Sequence, residues 1–376
     1  SNVLILFLKR YKMENPKISV LMSVFNGEIY LREAIDSILK QTYTNFEFLI
    51  INDCSTDASL NIIKSYSDKK IVLIDNPENL GLTKSLNKAL LIAKGDYIAR
   101  MDADDISNKH RLEKQINHFV KNPDLVLLGT QVRIINNQGL LLRAPAFNKL
   151  PLSWEAVRFY CMINNPFVHS SIMMRKDIII NKYSGYDTSF RTSQDYDLWT
   201  RIVYENRSEN LDESLLDLRI HATSISANYS KKSMNSLASM YKCSISSGVG
   251  LEISEKWNDQ WILKNNPSWN AGKLSLGFIT EKIEELYSRF LNYNNISDNN
   301  KELLSNKHLL LIRLAYNSAS VHRKISLLLF TKILLKETRV CFSVLPMYIL
   351  KFIFGASLRL KVNQIKSLLS LGKQSV

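Results

Sequence analysis

The feature that most constrains the fold is a regular alternation of short apolar runs and amphipathic segments in the first third of the chain. The runs predict buried strands, and the segments between them have apolar residues at helical spacing. The predicted strands are Ile18–Val24, Phe46–Ile51, Ile71–Ile74 and Tyr97–Met101, and the predicted helices between them begin near Leu31, Asp57 and Leu82. This alternation indicates an α/β fold with a doubly wound, mostly parallel sheet, in which ligands bind at the carboxyl ends of the strands.

Beyond residue 105 the pattern is less regular. It predicts helices over Arg111–Phe119, Trp154–Cys161 and Gln194–Tyr204, strands over Leu125–Val132 and Ser170–Met174, and a hairpin turn at Asn136–Gly139. From about residue 232 helical segments are joined by long polar links. We therefore expect an N-terminal segment over residues 1–15, an α/β domain over residues 16–235 and a helical, basic C-terminal region over residues 236–376.

Positive charge is concentrated at the C-terminal end. The chain of 376 residues has a formal net charge of +14, of which +11 lies in residues 301–376. Leu, Ile and Phe are interleaved with these cations at helical spacing, as in Ile325–Leu334. The pattern predicts either a helical subdomain packed on the body or a helix in the interface of an anionic membrane. A spanning helix is not predicted, since no stretch of 18 residues is free of charge.

Some common kinds of site are excluded by motif. Neither G-x-G-x-x-G nor G-x-x-x-x-G-K-[ST] occurs, so the two commonest phosphate-loop signatures are absent. The cysteines are widely spaced and form no C-x-x-C: Cys54, Cys161, Cys243 and Cys341. This argues against a structural zinc site or a disulfide framework and for a reducing compartment. With the basic tail, it predicts a cytoplasmic location, peripheral on the inner face of the cell membrane.

Four polar segments lie where the predicted strands end. They are Val24–Gly27, Asn52–Asp57, Asn79–Lys84 and Met101–Asp105. Because these ends meet at one edge of a parallel sheet, their acidic side chains would repel each other unless a cation lay among them. The D-x-D of Asp102 and Asp104 supplies two carboxylates on one extended segment, and such oxygen ligands suit Mg²⁺ or Mn²⁺.

Residues 16–230 resemble the family 2 glycosyltransferases, which have the nucleotide-sugar-binding GT-A fold. The resemblance is carried by Val24–Leu31, Ser37–Tyr43, Ile51–Asp57, Asn79–Leu82, Gly95–Ile98, Met101–Asp105, Asn165–Ser170, Ser193–Trp199 and Leu218–His221. It implies an inverting enzyme that uses a UDP-sugar and Mn²⁺ or Mg²⁺. The implied acceptor is a glycan, such as a lipid-linked oligosaccharide in the synthesis of a bacterial O-antigen or capsule.

The resemblance also implies roles for residues on the donor side. Asp53 would accept a hydrogen bond from the uracil imide, and Asn26 would belong to the same base-binding edge. Asp102 would lie near the ribose and Asp104 would bind the metal ion. His221 would be a third metal ligand, although a lone histidine is more often packed in a core.

Further roles follow for four other residues. Lys84 would contact the diphosphate or lie on a solvated helix face, and these two readings remain open. Asp195 would be the catalytic base, because the acceptor hydroxyl needs a proton acceptor within hydrogen-bond reach. Asp197 would be a structural acid of the same helix, and Asp105 would cap the helix that follows it.

Three positions depart from the family's usual pattern. Cys54 stands where Gly is common, which affects only a backbone preference. Gln194 stands where a Glu usually precedes the base, so a charge that could tune Asp195 is missing. Leu86 stands where many relatives have Arg, and Lys84 on the same turn could replace that diphosphate contact.

Other classes of protein fit less well. A receiver-type signalling domain needs an acidic pair after the first strand, where this chain has Val24–Asn26. Nucleic-acid binding is suggested by the basic pI, but the tail lacks stacking aromatics at regular spacing, so no nucleic-acid partner is expected. A catalytically inactive nucleotide-sugar binder is harder to exclude, and the retained Asp102, Asp104 and Asp195 argue against it.

Overall fold

The computed structural model describes residues 16–142, 149–190, 192–222, 243–250, 276–297, 300, 302–303 and 307, with residues 276–282 as backbone alone. The strands are β1 (Ile18–Val24), β2 (Phe46–Asn52), β3 (Ile71–Asp75), β4 (Tyr97–Arg100), β5 (Ile106–Ser107), β6 (Leu125–Ile135), β7 (Leu141–Leu142), β8 (Met173–Arg175) and β9 (Arg207–Arg219). The helices are α1 (Leu31–Leu39), α2 (Ser59–Lys64), α3 (Leu82–Ile92), α4 (Arg111–Lys121), α5 (Trp154–Cys161), α6 (Lys176–Asn181), α7 (Gln194–Ile202), α8 (243–249) and α9 (Leu276–Tyr293).

The strands form one nine-stranded sheet in the order β3-β2-β1-β4-β8-β6-β9-β5, with β7 paired to β6. β1 lies parallel to β2 and β4, and β2 lies parallel to β3. In the second half β8 runs antiparallel to β4 and β6, whereas the long strands β6 and β9 run parallel to each other. The longest ladders are therefore parallel, which confirms the predicted α/β fold with a mostly parallel sheet.

Helices cover both faces of the sheet, as the doubly wound arrangement requires. One apolar cluster contains residues of α1, α2 and α4, and the other contains residues of α3, α5, α6 and α7. Along β1, Val20 and Met22 belong to the first cluster and Leu21 to the second. Because successive side chains of a strand point to opposite faces, a continuously apolar strand is what a sheet buried on both faces needs.

The predicted elements of the first hundred residues are confirmed, apart from a helix that is shorter than expected. Helix α2 begins at Ser59 rather than at Asp57, because the Asp57 carboxylate accepts the backbone N–H of Ser59 at 2.9 Å. The same carboxylate accepts the N–H of Glu28 at 3.0 Å, so Asp57 joins two loops instead of continuing the helix.

Two elements differ more strongly from the sequence prediction. The strand predicted over Ser170–Met174 is a turn of 3₁₀-helix at His169–Ser171 followed by β8. Strand β9 was not predicted at all, because its sequence RSENLDESLLDLR shows no regular alternation of apolar and polar residues. It pairs with β6 in parallel over ten residue pairs, with three register shifts. This pairing makes the segment a strand, although its own sequence does not predict one.

The chain divides into two compact units, residues 1–263 with 285–306 and residues 264–284 with 307–376. Within the first unit, Tyr287 and Phe290 of α9 pack on Phe159 of α5, at ring distances of 5.4 and 5.6 Å. No helix in the described part of the chain is both long and apolar enough to cross a membrane. The predicted N-terminal segment and almost all of the basic tail lie outside the described residues.

A buried glutamate joins three elements at the amino end of the sheet. Glu47 Oε1 of β2 accepts a hydrogen bond of 2.6 Å from Ser19 Oγ of β1 and another from the N–H of Lys94, and Lys17 Nζ lies 3.3 Å from Oε2. Ser19 Oγ in turn accepts the N–H of Gly95 at 2.8 Å. Burial alone raises the pKa of Glu47, but these donors outweigh it and leave the pKa below its ordinary value.

We predict that Glu47→Gln lowers the free energy of unfolding by about 1–3 kcal/mol at pH 7, the usual contribution of charge-assisted hydrogen bonds. Because the pKa of Glu47 is lowered in the folded state, this stabilisation is present above the unfolded pKa and is lost as the pH falls through the folded value. Denaturant titration at pH 7 and below pH 4 measures it. Glu213→Gln, in an exposed pair with Lys114, is the control. Equal losses for Glu47→Gln at both pH values would contradict the prediction.

Candidate active site

The loops that follow β1 and β2 are joined by side-chain hydrogen bonds. Asn26 Oδ1 accepts the N–H of Thr56 at 2.8 Å, and the N–H of Asn26 donates to Ser55 Oγ at 3.1 Å. Glu28 Oε2 accepts the N–H of Ala58 at 2.8 Å. Asn26 has a φ of +52°, which asparagine tolerates better than most residues. The polar segments after β1 and β2 thus form one surface, as their position at the sheet edge predicted.

Asp53 is buried, and its carboxylate holds the loop that leads into α3. Oδ1 accepts hydrogen bonds from Asn76 Nδ2 at 2.8 Å, Ser85 Oγ at 2.9 Å and the N–H of Leu80 at 3.0 Å. Oδ2 accepts the N–H of Gly81 at 2.9 Å. The carboxylate therefore brings the ends of β2 and β3 and the start of α3 together. Its predicted contact with a uracil ring stays a prediction.

Cys54 has a φ of +60°, in the left-handed region that favours glycine. A non-glycine residue there costs roughly 1–2 kcal/mol of conformational free energy. The departure from the family's usual glycine therefore has the backbone consequence that was expected. Asp53 and Ser55 on either side keep their contacts.

Two lysines of α3 lie one turn apart, and one of them contacts the network around Asp53. Lys84 is exposed. Lys88 Nζ donates to Asn76 Oδ1 at 2.7 Å, and so reaches the Asp53 network. The sequence analysis missed Lys88, although its spacing of four residues from Lys84 places it on the same helix face. Asn87 between them binds the backbone N–H and C=O of Tyr186, at 2.9 and 2.7 Å.

The acidic segment after β4 contains three carboxylates in different surroundings. Asp102 forms an ion pair with the buried Arg100, and its N–H donates to Ser170 Oγ at 2.8 Å. Asp104 Oδ2 lies 2.9 Å from His221 Nε2. Asp105 is 1% exposed, and its Oδ1 accepts the N–H of Arg219 at 2.9 Å. The predicted helix cap at Asp105 is wrong, because strand β5 follows it and its hydrogen bond joins β9.

The negative charges of this segment are unfavourable, because the carboxylates are partly or fully buried and lie close together. Burial raises the pKa of Asp104, and the charge of Asp102 raises it further, while His221 acts in the opposite direction. Burial and the same two neighbouring carboxylates raise the pKa of Asp105 well above its ordinary value. A bound cation would offset this repulsion.

The structure brings Asp104 and His221 together, although 117 residues separate them in the chain. His221 is the second residue after the end of β9, and its ring lies 5.1 Å from that of Tyr30. A carboxylate oxygen and an imidazole nitrogen side by side are a donor set that fits a divalent metal ion. Within the described residues no group of three or more His, Cys, Asp or Glu side chains could hold a metal. A cation bound by this pair therefore needs further ligands from water or substrate oxygens.

Asp195 lies in the first turn of α7, apart from the acidic segment in the chain. Its Oδ2 accepts a hydrogen bond of 2.8 Å from Asn165 Nδ2. Burial raises the pKa of Asp195, the Asn165 hydrogen bond opposes that shift, and the charge of Asp102 adds to it. Asp197 instead forms a salt bridge of 2.8 Å with Arg201, the structural role expected of it.

A neutral pair lies close to these acids. His169 Nε2 and Tyr186 Oη are 2.9 Å apart. Burial and the positive charge of Arg100 hold the pKa of His169 well below its ordinary value, so the imidazole is uncharged at neutral pH. Burial raises the pKa of the Tyr186 hydroxyl, and the charges of Asp195 and Asp102 raise it further. The sequence analysis quoted His169 within a motif but assigned it no role.

Buried arginines support the acidic segment, and the sequence analysis missed them. Arg111 is fully buried and donates to the backbone oxygens of Arg100 at 2.6 Å and Ser170 at 2.9 Å. Burial lowers the pKa of Arg111 to about 9. Arg100 and Arg219 are also almost fully buried. Arginine is usually exposed, so only the structure reveals that three of them lie beneath one loop.

Comparison with solved structures agrees with this fold. The crystal structure of residues 1–349 of Staphylococcus aureus TarS in complex with UDP-GlcNAc superimposes with a TM-score of 0.52. The match covers 82% of this chain and 90% of that one at 18% sequence identity, so the likeness is one of fold alone. The fold and the acidic edge of the sheet thus define a GT-A-type α/β protein.

Sequence comparison identifies the family. Residues 19–183 match the family described as Glycosyl transferase family 2. An uncharacterized glycosyltransferase of Methanocaldococcus jannaschii is 38% identical over 214 residues, which are 56% of this chain and 72% of that protein. The O-antigen biosynthesis glycosyltransferase WbnJ of Escherichia coli is 38% identical over 236 residues, 60% of this chain and 85% of that one. The chain belongs to glycosyltransferase family 2, and it is a glycosyltransferase.

Proposed function

We propose that this protein is an inverting glycosyltransferase that moves a sugar from a UDP-sugar to a glycan acceptor in the synthesis of a bacterial surface polysaccharide. The observation that carries the proposal is the meeting of Asp104 and His221 beside Asp102, with a separate, half-buried carboxylate at Asp195. Similarity to an O-antigen enzyme and to an amylovoran biosynthesis glycosyltransferase of Erwinia amylovora supports the pathway class. The TarS complex with UDP-GlcNAc supports the donor class.

On the donor side, Asn26 and Asp53 line the base-binding edge and Asp102 lies toward the ribose. Asp104 and His221 hold a divalent cation, Mn²⁺ or Mg²⁺, which when bound neutralises charge on the leaving diphosphate. Lys84 is exposed in the first turn of α3, so its side chain can turn toward a bound phosphate.

On the acceptor side, Asp195 takes the proton of the attacking hydroxyl. The hydroxyl oxygen bonds to the anomeric carbon as the bond from that carbon to the diphosphate oxygen breaks. A single displacement of this kind inverts the configuration at that carbon. The raised pKa of Asp195 makes its carboxylate a stronger base than an exposed aspartate, which suits proton transfer near neutral pH.

We further propose that the acceptor is lipid-linked and that the basic tail holds the enzyme at an anionic membrane. The support is compositional, because residues 308–376 lie outside the described part. Each Lys or Arg near such a surface contributes about 1 kcal/mol to binding. A lipid-linked acceptor would be presented in the same plane.

We predict that Asp104→Ala weakens UDP binding when Mn²⁺ is present and changes it little in EDTA, because the variant loses a metal ligand and not a contact to the nucleotide. Isothermal titration calorimetry with UDP under both conditions measures this effect. Asp212→Ala, an exposed aspartate paired with Lys149, is the matched control. UDP binding by the unmodified protein that is the same in Mn²⁺ and in EDTA would contradict the metal assignment.

We predict that Asp195→Asn lowers turnover by about 10²–10⁴-fold, the usual effect of losing a general base, while UDP binding is retained. The amide keeps the shape and cannot take a proton. Asp197→Asn on the same helix is the control, and it should lower stability more than turnover because its partner is Arg201. If Asp195→Asn kept normal turnover with the natural acceptor, the base would have to be another residue.

We predict that the full chain floats with vesicles containing anionic lipid and that raising the salt concentration weakens this binding. Replacing four tail cations by Gln should weaken flotation strongly: Arg323, Lys324, Lys332 and Lys336. The control replaces four exposed lysines of the described fold by Gln: Lys64, Lys69, Lys121 and Lys182. Equal flotation of both variants would place the membrane contact elsewhere.

A further inference from the structure

Arg219 is a buried arginine two residues before His221. Its side chain is 2% exposed, and its charge is paired with Glu33 on α1. Burying a guanidinium is costly unless it is paired and its donors are used. Its contacts therefore indicate what it does, and they converge on the acidic segment after β4.

Arg219 holds two successive residues of that segment. Its Nε donates to the backbone oxygen of Asp104 at 2.8 Å, and its own N–H donates to Asp105 Oδ1 at 2.9 Å. Its Nη1 donates to the backbone oxygen of Asn136, in the turn between β6 and β7, at 3.3 Å. One side chain thus joins the acidic segment to α1 and to the β6–β7 turn.

Tyr30 connects the same guanidinium to the histidine of the pair. Arg219 Cζ lies 4.4 Å from the centroid of the Tyr30 ring, and the His221 ring lies 5.1 Å from it. Cation–π contact favours a guanidinium over an aromatic face. One buried guanidinium therefore contacts the backbone of Asp104 directly and the ring of His221 through Tyr30.

We propose that Arg219 is a positioning residue that holds Asp104 and His221 in the arrangement that binds the metal ion of a nucleoside diphosphate. The inference rests on the proposed function, because it takes Asp104 and His221 as the metal-binding pair. Residues that orient metal ligands without touching the metal commonly change metal affinity by about 10–100-fold when they are replaced.

The planar fork of arginine is what this position requires. Nε, Nη1 and Nη2 each donate to a different element, and the flat face stacks on Tyr30. Lysine keeps the charge but cannot make these contacts together, since its ammonium is a point charge without a planar face. Arg219→Lys therefore removes the geometry and retains the charge.

Arg133 is a matched control on the neighbouring strand. Its Nε and Nη2 bind the carboxylate of Asp217 at 2.5 and 2.7 Å, so it too pairs with an acid through two donors. Its side chain is 54% exposed, and its partner Asp217 is not a candidate site residue. Arg133→Lys makes the same chemical change in the same β6–β9 ladder, away from the acidic segment.

The test measures UDP binding to the full-length protein by calorimetry over a series of Mn²⁺ concentrations and in EDTA. Arg219→Lys should raise the Mn²⁺ concentration for half-maximal enhancement by about tenfold or more, within the usual range for such residues. Its UDP affinity in EDTA should stay within about twofold of that of the unmodified protein. Arg133→Lys should leave both quantities unchanged.

Other outcomes overturn the inference in distinguishable ways. An unchanged Mn²⁺ requirement in Arg219→Lys, or an equal loss of UDP affinity in Mn²⁺ and in EDTA, would show that Arg219 does not position the pair. If Arg219→Lys does not fold, Glu33→Gln replaces it, because Glu33 is exposed and is the charged partner of Arg219; an unchanged Mn²⁺ requirement there overturns the inference. Indifference to Mn²⁺ in the unmodified protein would instead overturn the metal assignment of the proposed function.

Discussion

The parallel pairing of β9 with β6 is the constraint on which the candidate site depends. It pairs Ile135 with Arg219 and so places His221 beside the acidic segment that follows β4. Since side chains alternate between the two faces of a strand, a slip of one residue would turn Arg219 to the other face. The register shifts in the β6–β9 ladder lie upstream of this point, and the last four pairs, from Val132–Leu216 onward, are regular.

The acidic segment after β4 combines partly or fully buried carboxylates with buried arginines. Burial raises the pKa of Asp104 and of Asp105, and the charge of the neighbouring Asp102 raises both further. Arg100 and Arg219 beneath them bind a carboxylate or a backbone group of the segment. The arginines hold the shape of the segment, and a cation bound as we propose would offset the charge repulsion at Asp104.

The residues proposed to bind the donor and the residue proposed to act as the base lie on different elements of the structure. Asp53 and the loops around it form a hydrogen-bonded surface at the ends of β1, β2 and β3, which we propose binds the nucleotide. Asp195 belongs to α7 and is held by Asn165, from the segment before β8. Its proton affinity is set mainly by burial, and no charge at Gln194 is needed to raise its pKa.

The sequence by itself determined the α/β class, the order of the first strands and helices, and the polar segments at the sheet edge. These features can be predicted locally, because the hydrophobic period and the turn residues of each short segment are present in its own sequence. It missed β5, β9, Lys88 and the three buried arginines, and it assigned Asp105 a helix-capping role although β5 lies between Asp105 and the predicted helix. Only the tertiary structure decided these features. An irregular strand such as β9 is ordered by its partner β6, and the contact between Asp104 and His221 depends on that pairing across 117 residues.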